Sequence, residues 1–142
     1  MRRYLVVANQ TLGGQHLAET VRGCLAAGPA RFHIVVPATV PQEHAVWTEG
    51  EARALAQRRL EAALDRFRSI GAEVEGEIGD ERPLEAIADA VREREFDEII
   101  LSTLPPGLSR WLGQDLTHRV ERQFELPVTH VIGDPEPAER PV

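Results

Sequence analysis

The chain has 142 residues, of which 42% are hydrophobic and 27% charged, with a formal net charge of −7. That suits one ordinary domain able to bury its own core, and the acidic balance excludes an overall basic footprint for nucleic acid. All 16 basic residues are arginine, which excludes a P-loop lysine, a Schiff-base lysine and a lysine general base.

Arg3–Ala8 is an apolar, strand-length run, too short for the apolar region of a secretion signal with its cleavage site. No segment approaches the 18 apolar residues of a membrane span, so a cytoplasmic protein without a membrane partner is expected. Asn9-Gln10-Thr11 and Gly13-Gly14 form a loop, and a helix comes next over Gln15–Ala27 with Leu17, Val21, Cys24 and Leu25 inward. The single Cys24 has no partner for an internal disulfide and reads as a small buried hydrophobe. Arg31–Val36 is a second buried strand ended by Pro37. Ala38–Thr48 shows no period and reads as a long loop, with Trp47 a candidate pocket lid or interface residue.

The clearest element is a helix over Glu49–Ile70, with Ala52, Leu55, Ala56, Leu60, Ala63, Leu64 and Phe67 on one stripe. Thr48 is its expected N-cap and Gly71 its stop. Ala72–Ile78 alternates Val74, Gly76 and Ile78 with Glu73, Glu75 and Glu77, the pattern of a charged edge strand. A third helix is predicted over Pro83–Arg94. Ile99-Ile100-Leu101 is a strand covered on both faces, closed by Ser102 and Thr103. Pro105-Pro106-Gly107 turns the chain. Leu108, Leu112, Leu116, Val120 and Phe124 then recur every four residues beside Trp111, predicting one helix that ends before Pro127. Val128–Ile132 is the last strand. Residues 1–133 form the expected domain, and the proline-rich 134–142 a disordered tail.

Strands and helices alternate throughout. Right-handed crossovers then give an α/β fold: a five-stranded parallel sheet in the order 3-2-1-4-5 with helices on both faces. Such sheets bind ligands at the carboxyl ends of the strands where the winding reverses. Two segments meet there, Ala8–Thr11 and Ser102–Gly107.

This pattern resembles the universal stress protein family, within the adenine-nucleotide-binding α/β superfamily. The resemblance runs from Arg3 to about Ile132. It rests on Tyr4-Leu5-Val6-Val7-Ala8-Asn9-Gln10-Thr11, on Gly79-Asp80, on Phe96-Asp97-Glu98-Ile99-Ile100-Leu101, and on Leu126-Pro127-Val128 before the last strand. Asn9 falls where the family has an adenine-contacting Asp, and Thr11 where it has Ser. Members that bind ATP carry Gly-x-x-Gly and, further on, Gly-Ser/Thr. Here Ser102 and Thr103 stand near the first Gly, Pro105-Pro106-Gly107 replaces the flexible loop, Gly113 matches the later Gly, and Gln114 replaces the hydroxyl residue. This stretch looks like that of a distinct branch of the family.

The resemblance implies a stress-response regulatory protein that binds an adenine nucleotide, ATP or AMP. The predicted cofactor-binding set is Ala8, Asn9, Thr11 and Val36 from the first two strands. Ser102, Thr103, Gly107, Ser109, Arg110, Gly113 and Gln114 complete it from the fourth strand and the loop and helix after it. Without the N–H groups of Pro105 and Pro106 the loop has capacity for one anion, a poor match to a triphosphate. The alternative is a rigid turn that seals the sheet, in a dimeric interaction scaffold. The family also implies a homodimer through 128–132, an uncharged strand at the predicted edge. His16, His33, His44, His118 and His130 lack metal spacing, and no catalytic motif is present. Enzymatic nucleotide hydrolysis is therefore not the expected role.

Overall fold

The computed structural model describes residues 1–39, 48–113 and 115–133. Trp47 and the tail 134–142 lie outside the described residues. The elements run β1 (Arg2–Val7), α1 (Gln15–Ala27), β2 (Ala30–Pro37), α2 (Glu49–Ser69), β3 (Glu73–Gly79), α3 (Pro83–Glu93), β4 (Glu98–Thr103), α4 (Arg110–Gly113), α5 (Leu116–Phe124) and β5 (Val128–Ile132). All strand pairings are parallel, in the order β3-β2-β1-β4-β5. The expected sheet and the order of winding are thus observed. β3 and β5 are its edges.

Strand alternation splits the core into two layers. Tyr4, Val6, Phe32, Ile34 and Ile100 point toward α1 and α2, where Leu17, Val21, Leu60 and Phe67 cover them. Leu5, Val7, Val35, Ile99 and Leu101 point toward α3, α4 and α5, against Ile87, Ala90, Trp111 and Val120. Trp111 is core, as its place beside the stripe predicts. Close approach of α3 depends on Gly79: a Cβ there would lie 2.8 Å from Ala86 Cβ and 2.9 Å from Val35 Cγ1. Thr48 caps α2 with a full capping box, its hydroxyl accepting from Glu51 N–H while Glu51 reaches back to the Thr48 N–H.

The start of the sheet is tied by Asp97, whose carboxylate accepts from the Arg3 backbone N–H at 2.8 Å. That bond, and the Arg3 guanidinium after it, hold the Asp97 carboxyl below the usual carboxylate range. On β3 the glutamates do more than blunt an edge. Glu73 pairs with Arg31, and Glu75 and Glu77 hold the two ring nitrogens of the buried His33 at 3.3 and 2.7 Å.

One expected element differs. The four-residue stripe predicts one helix from Leu108 to Phe124; the structure has two, α4 and α5, separated by Asp115 in the left-handed region (φ 58°). Gly113 weakens the helix just before the break, and Asp tolerates that backbone better than most residues. Leu108 lies in the turn ahead of α4 rather than in a helix and is 60% exposed, whereas Leu116 and Val120 are buried as expected.

Candidate functional site

The carboxyl ends of β1 and β4 lie side by side, β1 pairing with β4 through Val7 and Leu101. Beyond them the chain supplies polar groups that are nearly all buried: Asn9 is 7% exposed, Thr11 2%, Ser102 1% and Thr103 2%. Each must therefore have a partner, or stand ready for one.

Asn9 is engaged at both ends of its amide. Its Nδ2 donates to the Pro37 carbonyl at 2.7 Å, and its Oδ1 accepts from Arg59 Nη1 at 2.6 Å. An amide meets both demands at once: a donor toward β2 and an acceptor toward α2. An aspartate would put an acceptor against the Pro37 carbonyl. Arg66, two turns further along α2, donates to the Gly13 carbonyl. Two arginines of one helix face thus hold the β1–α1 loop. That loop is itself closed by Leu12 N–H to the Asn9 carbonyl and Gly14 N–H to the Thr11 carbonyl, at 3.1 and 2.9 Å.

Thr11 and Ser102 face each other, Oγ1 to Oγ 2.5 Å apart. Two hydroxyls bring two hydrogens, and the bond between them uses one. Among the described residues no acceptor takes the other, so the pair retains one O–H for a further partner. Gly133 closes the third side; a Cβ there would sit 3.5 Å from Thr11 Cβ.

Thr103, one residue along, points into the opposite layer. Its hydroxyl donates to the Leu104 carbonyl at 2.9 Å and lies 2.8 Å from His130 Nε2. With its hydrogen committed, the hydroxyl accepts from Nε2–H, which fixes that tautomer and leaves Nδ1 as an acceptor. Burial pushes the His130 imidazole below its ordinary pKa.

The β4–α4 loop is closed on itself. Pro105 and Pro106 carry no N–H. Leu108 and Ser109 both donate theirs to the Pro105 carbonyl, at 3.0 and 3.1 Å. The Ser109 hydroxyl accepts from Leu112 N–H at 3.2 Å, capping α4. Between Pro105 and Ser109 this leaves Gly107, at φ 91°, with the one backbone N–H that has no acceptor among the described residues.

Of the sequence-predicted set, Thr11 and Ser102 come together, and Asn9 lies at the same end of the sheet. Ala8 and Val36 are fully buried in the α1/α2 layer. Thr103 faces away, Ser109 Oγ accepts the capping bond of α4, and Arg110 and Gly113 are the first and last residues of α4. Gln114 lies outside the described residues. Arg59, Arg66 and Gly133 were not in that set. Arg59 and Arg66 are spaced seven apart beside the apolar stripe of α2, a signal that reads equally as a solvated flank. Among the described residues no group of three or more His, Cys, Asp or Glu could hold a metal ion, and no helix is long and apolar enough to cross a membrane.

Solved structures of similar shape share this arrangement of strands and helices. A universal stress protein in complex with cAMP superposes with a TM-score of 0.64 at 19% identity, over 94% of this chain and 98% of that one. A universal stress protein family protein from Arabidopsis thaliana with AMP bound gives 0.67 at 14%, over 94% and 93%. The universal stress protein from Archaeoglobus fulgidus in complex with dAMP gives 0.60 at 17%, over 92% and 98%. The chain has the universal stress protein fold. No family model and no curated protein sequence matches it, so the likeness is carried by the backbone. Within the universal stress protein fold, the Thr11–Ser102 pair marks the place where the winding of this sheet reverses.

Proposed function

We propose that this protein is a non-catalytic regulatory binding protein of universal stress type, cytoplasmic, which takes an adenine nucleotide at the carboxyl ends of β1 and β4. The observation that carries this reading is the buried Thr11–Ser102 pair with its one uncommitted O–H at the reversal point of the sheet. Fold neighbours crystallised with cAMP, AMP and dAMP support it. The ligand would act by differential binding, since no general base or metal cluster among the described residues converges on the hydroxyl pair.

Calorimetry and thermal shift with adenine nucleotides test this. Binding that weakens about tenfold in a Thr11→Val, Ser102→Ala double variant, which removes both hydroxyls, is expected, as one hydrogen bond to a charged or polar ligand is worth about 1.5 kcal/mol. No heat and no shift at millimolar ligand would remove the nucleotide reading.

A second reading is favoured by Asn9, whose amide is already held between Pro37 and Arg59. In it the sheet end is sealed and the protein works as a homodimeric scaffold. Its seam would be the outer edge of β5, where Ile132 is 44% exposed. Light scattering decides: a monomer at micromolar concentration, or a dimer untouched by Ile132→Lys, would end this version.

A further inference from the structure

Resting on the homodimer reading, we propose that His16 sets the register in which β5 pairs with a second copy of this chain, centring the seam on Thr129 instead of His130. The ground is the direction of the backbone groups along the edge strand. Ile99 N–H donates to the Pro127 carbonyl, and Gly133 N–H to the Thr103 carbonyl. With the period of two along a strand, the odd-numbered residues of β5 face β4. Val128, His130 and Ile132 therefore turn their N–H and C=O groups outward. Five of those six groups have no partner among the described residues. The sixth is the Ile132 carbonyl, which accepts from His16 Nδ1–H at 2.9 Å. His16 is the second residue of α1, so the first turn of that helix closes one end of an otherwise open edge.

Val128–Ile132 contains no Asp, Glu, Lys or Arg, and its outward donors and acceptors alternate. Such an edge is complementary to itself when two copies run antiparallel about a two-fold axis. Full overlap would put His130 on the axis and pair Val128 with Ile132 of the other copy. That register needs the Ile132 carbonyl of both copies. An incoming strand lies about 4.8 Å away, and the His16 ring already stands at bonding distance on that side. Each backbone bond gained at Ile132 is then offset by an imidazole bond lost. Centring on Thr129 pairs Val128 with His130 of the other copy and leaves His16 in place. It also sets Thr129 against Thr129, a favourable cross-strand pair, where full overlap sets His130 against His130. Neither register draws on Leu126 or Pro127, which precede the strand.

Disulfide trapping reads the register. Thr129→Cys and His130→Cys are each made in a Cys24→Ser chain and oxidised mildly. A residue on the axis meets its own copy at a Cα separation of about 4.5–5.5 Å, within disulfide reach. In the other register the same residue is displaced by two further positions, about 6.8 Å along the strand, and is out of reach. Thr129→Cys is expected to link at least tenfold faster than His130→Cys, and adding His16→Ala to each should reverse the order. Faster linkage at His130→Cys with His16 present would overturn the register while leaving the homodimer standing. The same order with and without His16 would overturn its role. A monomer by light scattering, with no linkage at either position, would overturn homodimer and inference together. His130→Cys also removes the bond to Thr103, so a second measurement uses His16→Ala alone. Freeing the Ile132 carbonyl of both copies should tighten self-association about tenfold in sedimentation equilibrium; equal or weaker association would overturn the inference.

Discussion

Asn9→Asp is the change that tests the site most directly. The carboxylate would keep the acceptor toward Arg59 and lose the donor toward Pro37, 2.7 Å away. The lost bond is worth about 1 kcal/mol. The Pro37 carbonyl also accepts from Thr39 N–H at 2.8 Å, so it is not orphaned. Two acceptors facing each other in a site 7% exposed add about 1–2 kcal/mol. A charge-assisted bond to Arg59 returns about 1 kcal/mol. The net destabilisation is about 1–2 kcal/mol. For a chain of this length the entropy of unfolding is about 0.3 kcal/mol/K, so Tm should fall by about 3–7 °C at neutral pH. Thermal melts by circular dichroism, with urea titration as a second measure, read this out. If Asn9→Asp melts at or above the wild-type temperature, the amide is not held by donating to Pro37, and the physical reason given for Asn at this position is wrong.

Other substitutions probe other parts of the fold. Gly79→Ala would set a methyl 2.8 Å from Ala86 Cβ, which has no rotamer to yield; overpacking should cost about 2–3 kcal/mol, and a urea midpoint equal to wild type would contradict the α3 packing. Glu125 ends α5 at φ 53°, so Glu125→Gly should raise stability by about 0.5–1 kcal/mol after the entropic cost of glycine in the unfolded chain. A lower Tm would refute that strain. Burial lowers the His130 pKa, so as pH falls below its ordinary value of about 6.5 the unfolded chain takes the proton first and stability declines. That contribution is complete above the ordinary value and lost toward the folded one. The loss of Tm between pH 7 and 5 should therefore be smaller in His130→Val than in wild type; equal slopes would exclude the burial effect. Asp97 acts in a separate window, since its lowered pKa makes stability fall only below about pH 4.

The sheet was legible because its signals are local and repeated. Ile99-Ile100-Leu101 and Tyr4–Ala8 announce strands covered on both faces, and the α2 stripe announces the helix between strands two and three. The Thr48–Glu51 box was half visible, since the Thr was expected as a cap and its reciprocal Glu was not. The α4–α5 break was hidden because its apolar spacing continues across it; a left-handed residue leaves no periodic trace. At the site, the pairing of Thr11 with Ser102 follows from topology, but the engagement of Asn9 does not. Arg59 lies fifty residues away on a helix whose approach to the loop depends on tertiary packing. The Pro105-Pro106 motif gave away two missing N–H groups. That its carbonyl would also consume those of Leu108 and Ser109 required the turn itself.

Ser102 and Thr103 are neighbours at the tip of β4, yet they are fastened to different halves of the molecule. Ser102 holds the β1–α1 loop on one side of the sheet, and Thr103 holds His130 on the other. A shift of this strand tip cannot be absorbed in one layer. It strains a hydroxyl bond to Thr11 and an imidazole bond to the outermost strand at the same moment. Whatever moves the tip is reported through the thickness of the sheet, to the loop in front and to the edge beside it.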